Sequence, residues 1–343
     1  MRITVLLGGT SAERDVSTAS GLRISEALRA RGHEVRLVDP ATGPVSMEAE
    51  RAIRQTRVKA APPTSAELAE LARNARLTQL ADLDDLRWAE VVFIGLHGGV
   101  GEDGTLQAMF DLAGVRYTGS GHLASALAMD KDLSKRLFLA AGVPTPEWLM
   151  APAEVKRVEE ELRLPVIVKP SKQGSTVGLT IVRERAAFAA AVEEAARHDD
   201  EVMVERFIAG REFTVGVLGA EALPVGEIKP THEIYDYECK YTPGMATEDF
   251  PADIPEELAA RMQRHALDAF VALKLRGYAR IDFRVGEDGV PYCLEANTLP
   301  GMTELSLIPQ AAQAAGITFP ELCERIAVMA LESESEPAAV RRV

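Results

Sequence analysis

The sequence predicts an α/β and α+β protein that begins with an open, parallel α/β sheet. Residues 3 to 9, ITVLLGG, predict a buried strand, and a helical segment from Ser17 to Ala30 and the strand GHEVRLVD follow it. This order is a βαβ unit. Further along, strands and helices alternate in the manner of smaller α+β units. The chain of 343 residues is long enough for two or three domains.

Composition narrows the class of protein. The formal net charge of −14 disfavours a general binder of nucleic acids or membrane surfaces, because both require basic patches. No apolar run reaches about 18 residues, and the N-terminus lacks a signal-peptide cleavage pattern, so we expect a cytoplasmic protein. The three cysteines, Cys239, Cys293 and Cys323, lack CxxC spacing, which disfavours disulfides and zinc sites.

In the first domain, each predicted strand leads into a polar, glycine-rich turn. A weaker helical stretch from 47 to 87, interrupted at APPT, leads to the strand VVFIGLHGG. In open α/β sheets, ligands bind beyond the carboxyl ends of the strands. The turn LLGGTSAERDVS lacks the GxGxxG fingerprint, yet it could attract an anion, or Glu13 could hold a cation such as a substrate amine. His97 is either a satisfied loop histidine or part of a site.

The middle of the chain predicts one helix and then a small α+β unit. The helix SALAMDKDLSKRLFLAAGVPTP ends in a glycine and two prolines, which favours a domain junction. Two strands then surround the loop of PVIVKPSKQGSTVGLTIV, and a helix from 184 to 197 and the strand EVMVERF follow. The loop, with Lys169 at its start, could wrap phosphate oxygens or could be a flexible hairpin; it is not a Walker A sequence.

The last part predicts the strands REFTVGVLG and ALPVGEIKP, an irregular loop from 231 to 254, a helix from 255 to 274, a hairpin and two final helices. Three tyrosines in IYDYECKYTPG predict either a loop packed on the core or a lid. The tail ESESEPAAVRRV is short and charged, and we expect it to be disordered.

The hairpin carries an unusual polar pattern. In GYARIDFRV, Arg280 and Asp282 are two residues apart, and in CLEANTLPGM so are Glu295 and Asn297. Residues i and i+2 of a strand share a face, and the turn GEDG would bring the two pairs together. Solvated edge strands are one interpretation. The other is a site for a hard cation such as Mg²⁺, which prefers carboxylate and amide oxygens and accompanies phosphate.

Together, these segments resemble the D-alanine:D-alanine ligase family of the ATP-grasp superfamily, in order from about residue 3 to 330. The resemblance rests on GGTSAERDVS, HGGVGEDGTLQ, YTGSG, MDKDLSK, VKPSKQGSTVG, YDYECKYTPG, RIDF and EANTLPGMTELSLIP. It implies a three-domain ATP-grasp architecture. Its parts would be an N-terminal α/β substrate domain (1–119), a central ATP-grasp domain (120–206), a C-terminal catalytic domain (207–331) and a disordered tail (332–343).

The resemblance also implies a nucleotide and metal site, with ATP as co-substrate and magnesium, or manganese in its place, as cofactor. The metal would be bound by Asp282, Glu295 and Asn297. Nucleotide contacts would come from Lys131 and Lys169 (α- and β-phosphates), Lys240 (γ-phosphate), Glu212 (ribose), and Glu205 and Phe207 (adenine).

For the amino acids, the resemblance implies that one D-alanine becomes an acyl phosphate, which the amine of a second D-alanine attacks. Glu13 would hold the ammonium group of the first, linked through Ser175 to Tyr241, with His97 near by. The oxyanion would be stabilised by Arg280 and the amide of Gly301, and the second carboxylate would be received by Ser306 and Leu307. The product would serve peptidoglycan synthesis, and we expect a homodimer that binds neither nucleic acid nor membrane.

Two residues depart from the family pattern. Glu304 stands where a small or neutral residue is expected and would bring a negative charge towards Ser306, and Cys239 replaces a frequent alanine. Two rival functions remain open. One is a related ligase that uses D-lactate or D-serine as second substrate, which the loop around Tyr241 would discriminate. The other is a non-catalytic nucleotide-binding relative, which should lack the metal ligands or Arg280.

Overall fold

A computed structural model describes residues 1–54, 63–75, 77–174, 176–235, 239, 242 and 244–332 of the chain. Three separate sheets, each with helices packed on it, build this part of the protein. The predicted α/β and α+β class is confirmed. Within the described ranges, no helix combines the length and apolar character needed to cross a bilayer.

The N-terminal sheet has the strand order β3-β2-β1-β4. Its strands β1 (Arg2–Leu6), β2 (Glu34–Asp39) and β4 (Val91–Ile94) are parallel, and the short edge strand β3 (Gly43–Pro44) is antiparallel to β2. The predicted βαβ unit is therefore confirmed. Its helices are α1 (Arg14–Ala30), α2 (Met47–Ile53), α3 (Ser65–Asn74), α4 (Asp84–Trp88) and α5 (Thr105–Ala113).

The single helix predicted from 125 to 146 is wrong, because the chain forms two helices, α6 (His122–Met129) and α7 (Lys131–Ala140). The break is at Asp130, whose ψ of 102° is extended and whose carboxylate accepts a hydrogen bond from the Leu133 amide at 3.0 Å. An aspartate in this position is a helix N-cap. The break places Lys131 in the first turn of α7, with its side chain buried.

The central sheet is antiparallel and has the order β5-β8-β6-β7. It contains the two strands predicted around the lysine-bearing loop and the predicted strand EVMVERF. The elements are β5 (Trp148–Met150), α8 (Val155–Glu161), β6 (Val166–Pro170), β7 (Thr180–Val182), α9 (Phe188–Ala196) and β8 (Val202–Arg206).

The C-terminal sheet is antiparallel, with the order β12-β11-β9-β13-β14 and β10 paired to β9. Its strands are β9 (Gly210–Leu218), β10 (Glu221–Ala222), β11 (Gly226–Pro230), β12 (Ala246–Asp249), β13 (Tyr278–Gly286) and β14 (Pro291–Asn297). The helices are α10 (Glu256–Ala272), α11 (Leu307–Ala314) and α12 (Phe319–Glu332). Residues 333–343, nearly all of the tail expected to be disordered, lie outside the described residues.

One strand falls within the stretch predicted as an irregular loop from 231 to 254. The segment ATED forms β12, which pairs with β11, and Lys229 of β11 bonds to Asp249 of β12 at 2.5 Å. A four-residue edge strand with two acidic residues carries too little apolar pattern to be predicted as a strand. The prediction of an irregular loop is therefore wrong for these four residues.

The N-terminal sheet shares its core with α12, the last helix that the structure describes. Leu322 and Ile326 of α12 are buried in the same apolar cluster as Leu28 of α1 and Phe93 of β4. At the edge of this contact, Glu324 of α12 accepts hydrogen bonds from the Arg31 guanidinium that follows α1. The first and last segments of the chain therefore hold each other in place.

We predict that Leu322→Ala lowers the free energy of unfolding by about 2–5 kcal/mol, the usual cost of such a core truncation. Leu322 has 0% exposure, so the change leaves a cavity between α12 and the N-terminal sheet. The control is Leu139→Ala at a side chain that is 54% exposed, where we expect a change within about 0.5 kcal/mol. Urea unfolding followed by circular dichroism measures both, and equal effects would contradict the shared core.

Candidate active site

The predicted hairpin of β13 and β14 is confirmed, and its register fixes the polar pattern. Arg280 is paired with Asn297, and Asp282 with Glu295. Directly opposed residues of an antiparallel pair share a face, so these four side chains lie on one face of the sheet. The intervening residues Ile281 and Phe283 point the other way and are fully buried against α10.

Arg280 and Asp282 form a bidentate ion pair on this face. The Arg280 Nε and Nη2 atoms donate to the Asp282 carboxylate at 2.9 and 2.8 Å, and the Thr214 hydroxyl donates to the same carboxylate at 2.8 Å. Burial alone would lower the pKa of Arg280, but Asp282 raises it above its ordinary value, so the guanidinium stays charged. The pair holds a cation in a fixed orientation.

Lys131 joins three elements at the first turn of α7. Its Nζ lies 3.1 Å from a carboxylate oxygen of Glu295 and donates to the Gln173 carbonyl at 2.8 Å. The lysine therefore links α7, the loop after β6 and the hairpin. An ammonium group fixed between these elements can neutralise an anion that enters from solvent.

A second buried charge cluster lies in the central sheet. The Glu205 carboxylate bonds to Lys135 at 2.5 Å and to Lys169 at 2.7 Å. Burial and the neighbouring Lys169 lower the pKa of Lys135 to about 8 although Glu205 opposes this shift. Burial would raise the pKa of Glu205, but the two lysines bring it below its ordinary value.

Sequence reasoning missed Lys135. One signal could have found it: Lys135 follows Lys131 by four residues on α7, so both side chains lie on one face of that helix. Near by, the guanidinium of Arg284 lies 5.2 Å from the centre of the Phe207 ring, and Arg284 pairs with Glu212 in the register of β13 and β9. Two residues predicted to bind the nucleotide, Phe207 and Glu212, thus lie close to one arginine.

His97 is a buried link between the N-terminal sheet and the loop after β14. Its Nδ1 atom lies 2.7 Å from the Leu299 carbonyl, which can only accept, so Nδ1 carries the proton. Its Nε2 atom lies 2.8 Å from the Ser20 hydroxyl, which also accepts from the Met302 amide at 3.2 Å. Burial lowers the pKa of His97, which favours this neutral form.

The N-terminus of α11 also contributes to the site. Ser306 is the N-cap residue of α11, and its hydroxyl accepts from the Thr303 amide at 3.1 Å. The amides in a first helical turn favour an anion. The charge of Glu304, expected near Ser306, is directed towards Arg23, which donates to its carboxylate at 2.8 Å.

One cavity of about 590 Å³ is lined by many, but not all, of these groups. Nine predicted site residues line it: Glu13, His97, Lys131, Arg280, Glu295, Asn297, Gly301, Ser306 and Leu307. Five other predicted residues, all described, do not line it: Lys169, Glu205, Phe207, Glu212 and Asp282. Three predicted residues lie outside the described residues: Ser175, Lys240 and Tyr241.

Glu102 also lines this cavity, and sequence reasoning assigned it no role. Its carboxylate accepts from the Gly98 amide at 2.9 Å. Burial, and then the charge of Glu13, raise the pKa of Glu102 to about 7. The motif HGGVGEDGT could have indicated it, because the glycines allow the chain to bring an acid close to the end of β4.

The residues predicted to bind metal fit a hard cation by their chemistry. Two carboxylates, Asp282 and Glu295, and the amide oxygen of Asn297 come from one face of the hairpin. In the part of the chain that the structure describes, no group of three or more His, Cys, Asp or Glu residues suits a metal ion. The hairpin set contains only two residues of these types, so that finding does not bear on it.

Comparison with known proteins gives consistent matches. A family model described as D-ala D-ala ligase N-terminus matches residues 2–120, and one described as D-ala D-ala ligase C-terminus matches residues 137–328. Two curated relatives are named D-alanine--D-alanine ligase. The one from Geotalea uraniireducens (strain Rf4) is 43% identical, over 95% of this chain and 94% of its own. The one from Dechloromonas aromatica (strain RCB) is 42% identical, over 96% and 97%.

Solved structures agree with this finding. The D-alanine--D-alanine ligase from Bacillus anthracis, complexed with ATP, has a TM-score of 0.74 at 30% identity and covers 98% of each chain. The VanG D-Ala:D-Ser ligase from Enterococcus faecalis has a TM-score of 0.78 at 29% identity, covering 96% of this chain and 98% of its own. The predicted ATP-grasp fold class is confirmed.

We predict that Glu205→Gln lowers the free energy of unfolding by about 3–5 kcal/mol, because it leaves two buried lysines without their shared counter-charge. The control is Glu147→Gln, which removes an exposed carboxylate paired with Arg206 in the same sheet. An exposed pair of this kind contributes at most about 1 kcal/mol. Denaturant titration of both variants measures the free energy of unfolding. A smaller decrease in Glu205→Gln than in the control would show that the buried lysines do not need Glu205 for stability.

Proposed function

This chain belongs to the D-Ala D-Ala ligase family and is an enzyme, and we propose that it joins two D-alanines to D-alanyl-D-alanine at the expense of ATP. The product is a precursor of peptidoglycan. The observation that carries the proposal is the cavity of about 590 Å³, which is lined by Glu13, by Arg280 and by the N-terminus of α11. Two zwitterionic amino acids need an acid for an ammonium group and cationic or amide groups for carboxylates, and this one cavity offers both.

In the proposed first step, a carboxylate oxygen of the first D-alanine attacks the γ-phosphorus of ATP, and ADP leaves. Glu13 holds the ammonium group of that D-alanine, and Lys131 and Lys169 hold the α- and β-phosphates. The acyl phosphate that results is sensitive to hydrolysis, so burial of the site protects it. Positioning and charge neutralisation supply most of the acceleration in phosphoryl transfer.

In the second step, the neutral amine of the second D-alanine attacks the acyl carbon. The carbon–nitrogen bond forms, the bond from carbon to the phosphate oxygen breaks, and the proton lost by the amine leaves with the phosphate. Arg280 and the amide of Gly301 stabilise the oxyanion between these events. A Cβ at Gly301 would come within 2.8 Å of the Ser306 hydroxyl, which supports the need for glycine beside the carboxylate-binding helix terminus.

Asp282, Glu295 and Asn297 would hold magnesium, and the remaining predicted ATP contacts stay with Lys240, Glu212, Glu205 and Phe207. When bound, the metal would supply positive charge that neutralises the phosphates of ATP. The Arg280–Asp282 pair orients the guanidinium, and Lys131 shares Glu295 with the metal site. Ser175 and Tyr241 would complete the link to Glu13.

A related activity, with D-serine as second substrate, is the second candidate. The observation behind it is the likeness in fold to the VanG D-Ala:D-Ser ligase, with a TM-score of 0.78. D-lactate as second substrate would require an ester instead of an amide. Mass spectrometry of the products distinguishes D-alanyl-D-alanine, D-alanyl-D-serine and the ester.

We also propose three organisational features. The chain divides into domains at 119/120 and 206/207, which the residue ranges of the three sheets support. It works in the cytoplasm, where ATP is available.

It forms a homodimer. The dimer would cover exposed leucines such as Leu112 on α5, which is 92% exposed. Light scattering after gel filtration tests the oligomeric state.

We predict that the purified protein releases phosphate from ATP with D-alanine and not with L-alanine. We also predict that D-alanyl-D-alanine is the main product when D-alanine, D-serine and D-lactate are supplied at equal concentrations. We expect only the D enantiomer to place its carboxylate near Arg280 while Glu13 holds its ammonium group. Mass spectrometry of the products measures this. A predominant D-alanyl-D-serine would support the second candidate, and a predominant ester would contradict the amide-forming assignment.

We predict that Glu295→Gln raises the magnesium concentration needed for half-maximal rate and lowers turnover by roughly 100-fold or more, because a carboxylate that would bind the metal becomes neutral. Glu287→Gln, an identical change at the exposed turn of the same hairpin, is the control. Phosphate release measured over a magnesium titration is the test. An unchanged magnesium dependence in the first variant would refute the metal role of Glu295.

A further inference from the structure

A turn of acidic residues holds the loop after β6. Residues 198–201, HDDE, connect α9 to β8, and we call them the acidic turn. Three successive residues at the start of the loop donate hydrogen bonds to this turn. The bonds run from the Ser171 amide to the Glu201 carbonyl at 2.9 Å, from the Lys172 amide to Asp199 Oδ2 at 2.6 Å, and from the Gln173 side chain to the His198 carbonyl at 3.1 Å. The reaction proposed above gives the acidic turn no role.

Asp199 is the buried acid of this turn. Its side chain is only 5% exposed. One of its carboxylate oxygens accepts from the Lys172 amide at 2.6 Å, and the other accepts from the Glu201 amide at 3.1 Å. Hydrogen bonds to a charged acceptor are stronger than those between neutral groups. Asp200 differs, because its side chain is 85% exposed and pairs with the Lys172 ammonium group at 2.9 Å.

The loop, in turn, holds Lys131. The Lys131 amide donates to the Ser171 carbonyl at 3.3 Å, and the Lys131 ammonium group donates to the Gln173 carbonyl at 2.8 Å. These two carbonyls flank Lys172, the residue whose amide is bonded to Asp199. A long lysine side chain loses much rotamer freedom when it binds a ligand, and prior fixation reduces that loss. The bond to Asp199 therefore fixes the segment that orients Lys131.

Gly178 places the other end of the loop against the same turn. A Cβ added to Gly178 would meet His198 Cδ2 at 2.7 Å and Pro170 Cγ at 3.0 Å. Its φ of 70° also favours glycine. Both ends of the loop therefore lie on the acidic turn.

We propose that Asp199 is a positioning residue for nucleotide binding. It fixes the loop after β6 and, through that loop, the Lys131 ammonium group that would hold the α- and β-phosphates. This inference rests on the proposed function and extends it to a residue outside the site, because Asp199 does not line the cavity of about 590 Å³. The effect is confined to the phosphates, since the proposed base and ribose contacts come from other elements.

The experiment compares ADP with adenosine, which lacks the phosphates, on the full-length protein in the presence of magnesium. Asp199→Asn replaces one acceptor oxygen by an NH₂ group of nearly the same size, which would face a backbone N–H. One of the two hydrogen bonds is then lost. By calorimetric titration we expect the affinity for ADP to fall roughly tenfold. Adenosine, titrated in competition with ADP, should bind as tightly as it does to the wild type.

Kinetics give a second measurement on the same variant. A contact made equally in the ground state and the transition state contributes to KM and not to kcat. In the phosphate-release assay, KM for ATP should therefore rise roughly tenfold, while kcat stays within about twofold of the wild type. KM for D-alanine at saturating ATP should not change.

Two further variants separate positioning from charge and from folding. Asp200→Asn makes the same chemical change at the neighbouring exposed acid, and it should leave the affinity for ADP unchanged. Gln173→Ala removes the bond to the His198 carbonyl and keeps the backbone carbonyl that holds Lys131. It should weaken ADP and not adenosine, by a smaller factor than Asp199→Asn. Thermal unfolding of each variant confirms that it is folded.

Each outcome decides between the inferences. Wild-type affinity for ADP in Asp199→Asn, in an active enzyme, would overturn the role of Asp199 and leave the proposed function intact. Equal losses for ADP and adenosine would show a merely structural role, and an equal loss in Asp200→Asn would show a general charge effect; either result would overturn the assignment. A wild type that binds neither ADP nor ATP would overturn the proposed function, and this inference with it.

Discussion

The antiparallel pairing of β13 with β14 is the constraint on which the site depends. Side chains alternate between the two faces along β13. The register that buries Ile281 and Phe283 against α10 therefore also fixes Arg280 and Asp282 on the opposite face. A slip of one residue would move the charged residues into the core and the apolar ones into the cavity. The free energy that stabilises the hydrophobic core therefore also sets the position of the chemical groups.

Charge pairing prepares this face for an anionic ligand. The chain carries a net charge of −14, yet it gathers Lys131, Lys135 and Lys169 around the junction of α7 with the sheets, each held by a carboxylate. Removing such charges from water is costly unless they are paired. Under the proposed function, Lys131 and Lys169 would exchange a carboxylate partner for a phosphate partner when ATP binds. Because the lysines are already desolvated and oriented, little reorganisation accompanies the exchange.

Local pattern predicted much of the fold, and long-range contacts explain what it missed. The βαβ unit and the hairpin follow from apolar periodicity and turn residues that lie close together in the sequence. The break at Asp130 was missed because helix-forming residues stand on both sides of it. In the site, Lys135 bonds to Glu205, which is 70 residues away in the sequence, and Glu304 bonds to Arg23, which is 281 residues away. Family resemblance, and not periodicity, supplied the roles of Ser306 and Gly301.

The contact between α12 and the N-terminal sheet has a consequence for biosynthesis. The cluster that buries Leu28 and Phe93 also includes Leu322 and Ile326, which belong to the last helix that the structure describes. Domains usually fold from the N-terminus as the ribosome releases them. Here the first sheet emerges early with an apolar surface that later segments of the chain, α12 among them, cover. The packing of that surface is therefore complete only after α12 has been synthesised, and a chain that stalls before α12 exposes the surface to chaperones and proteases.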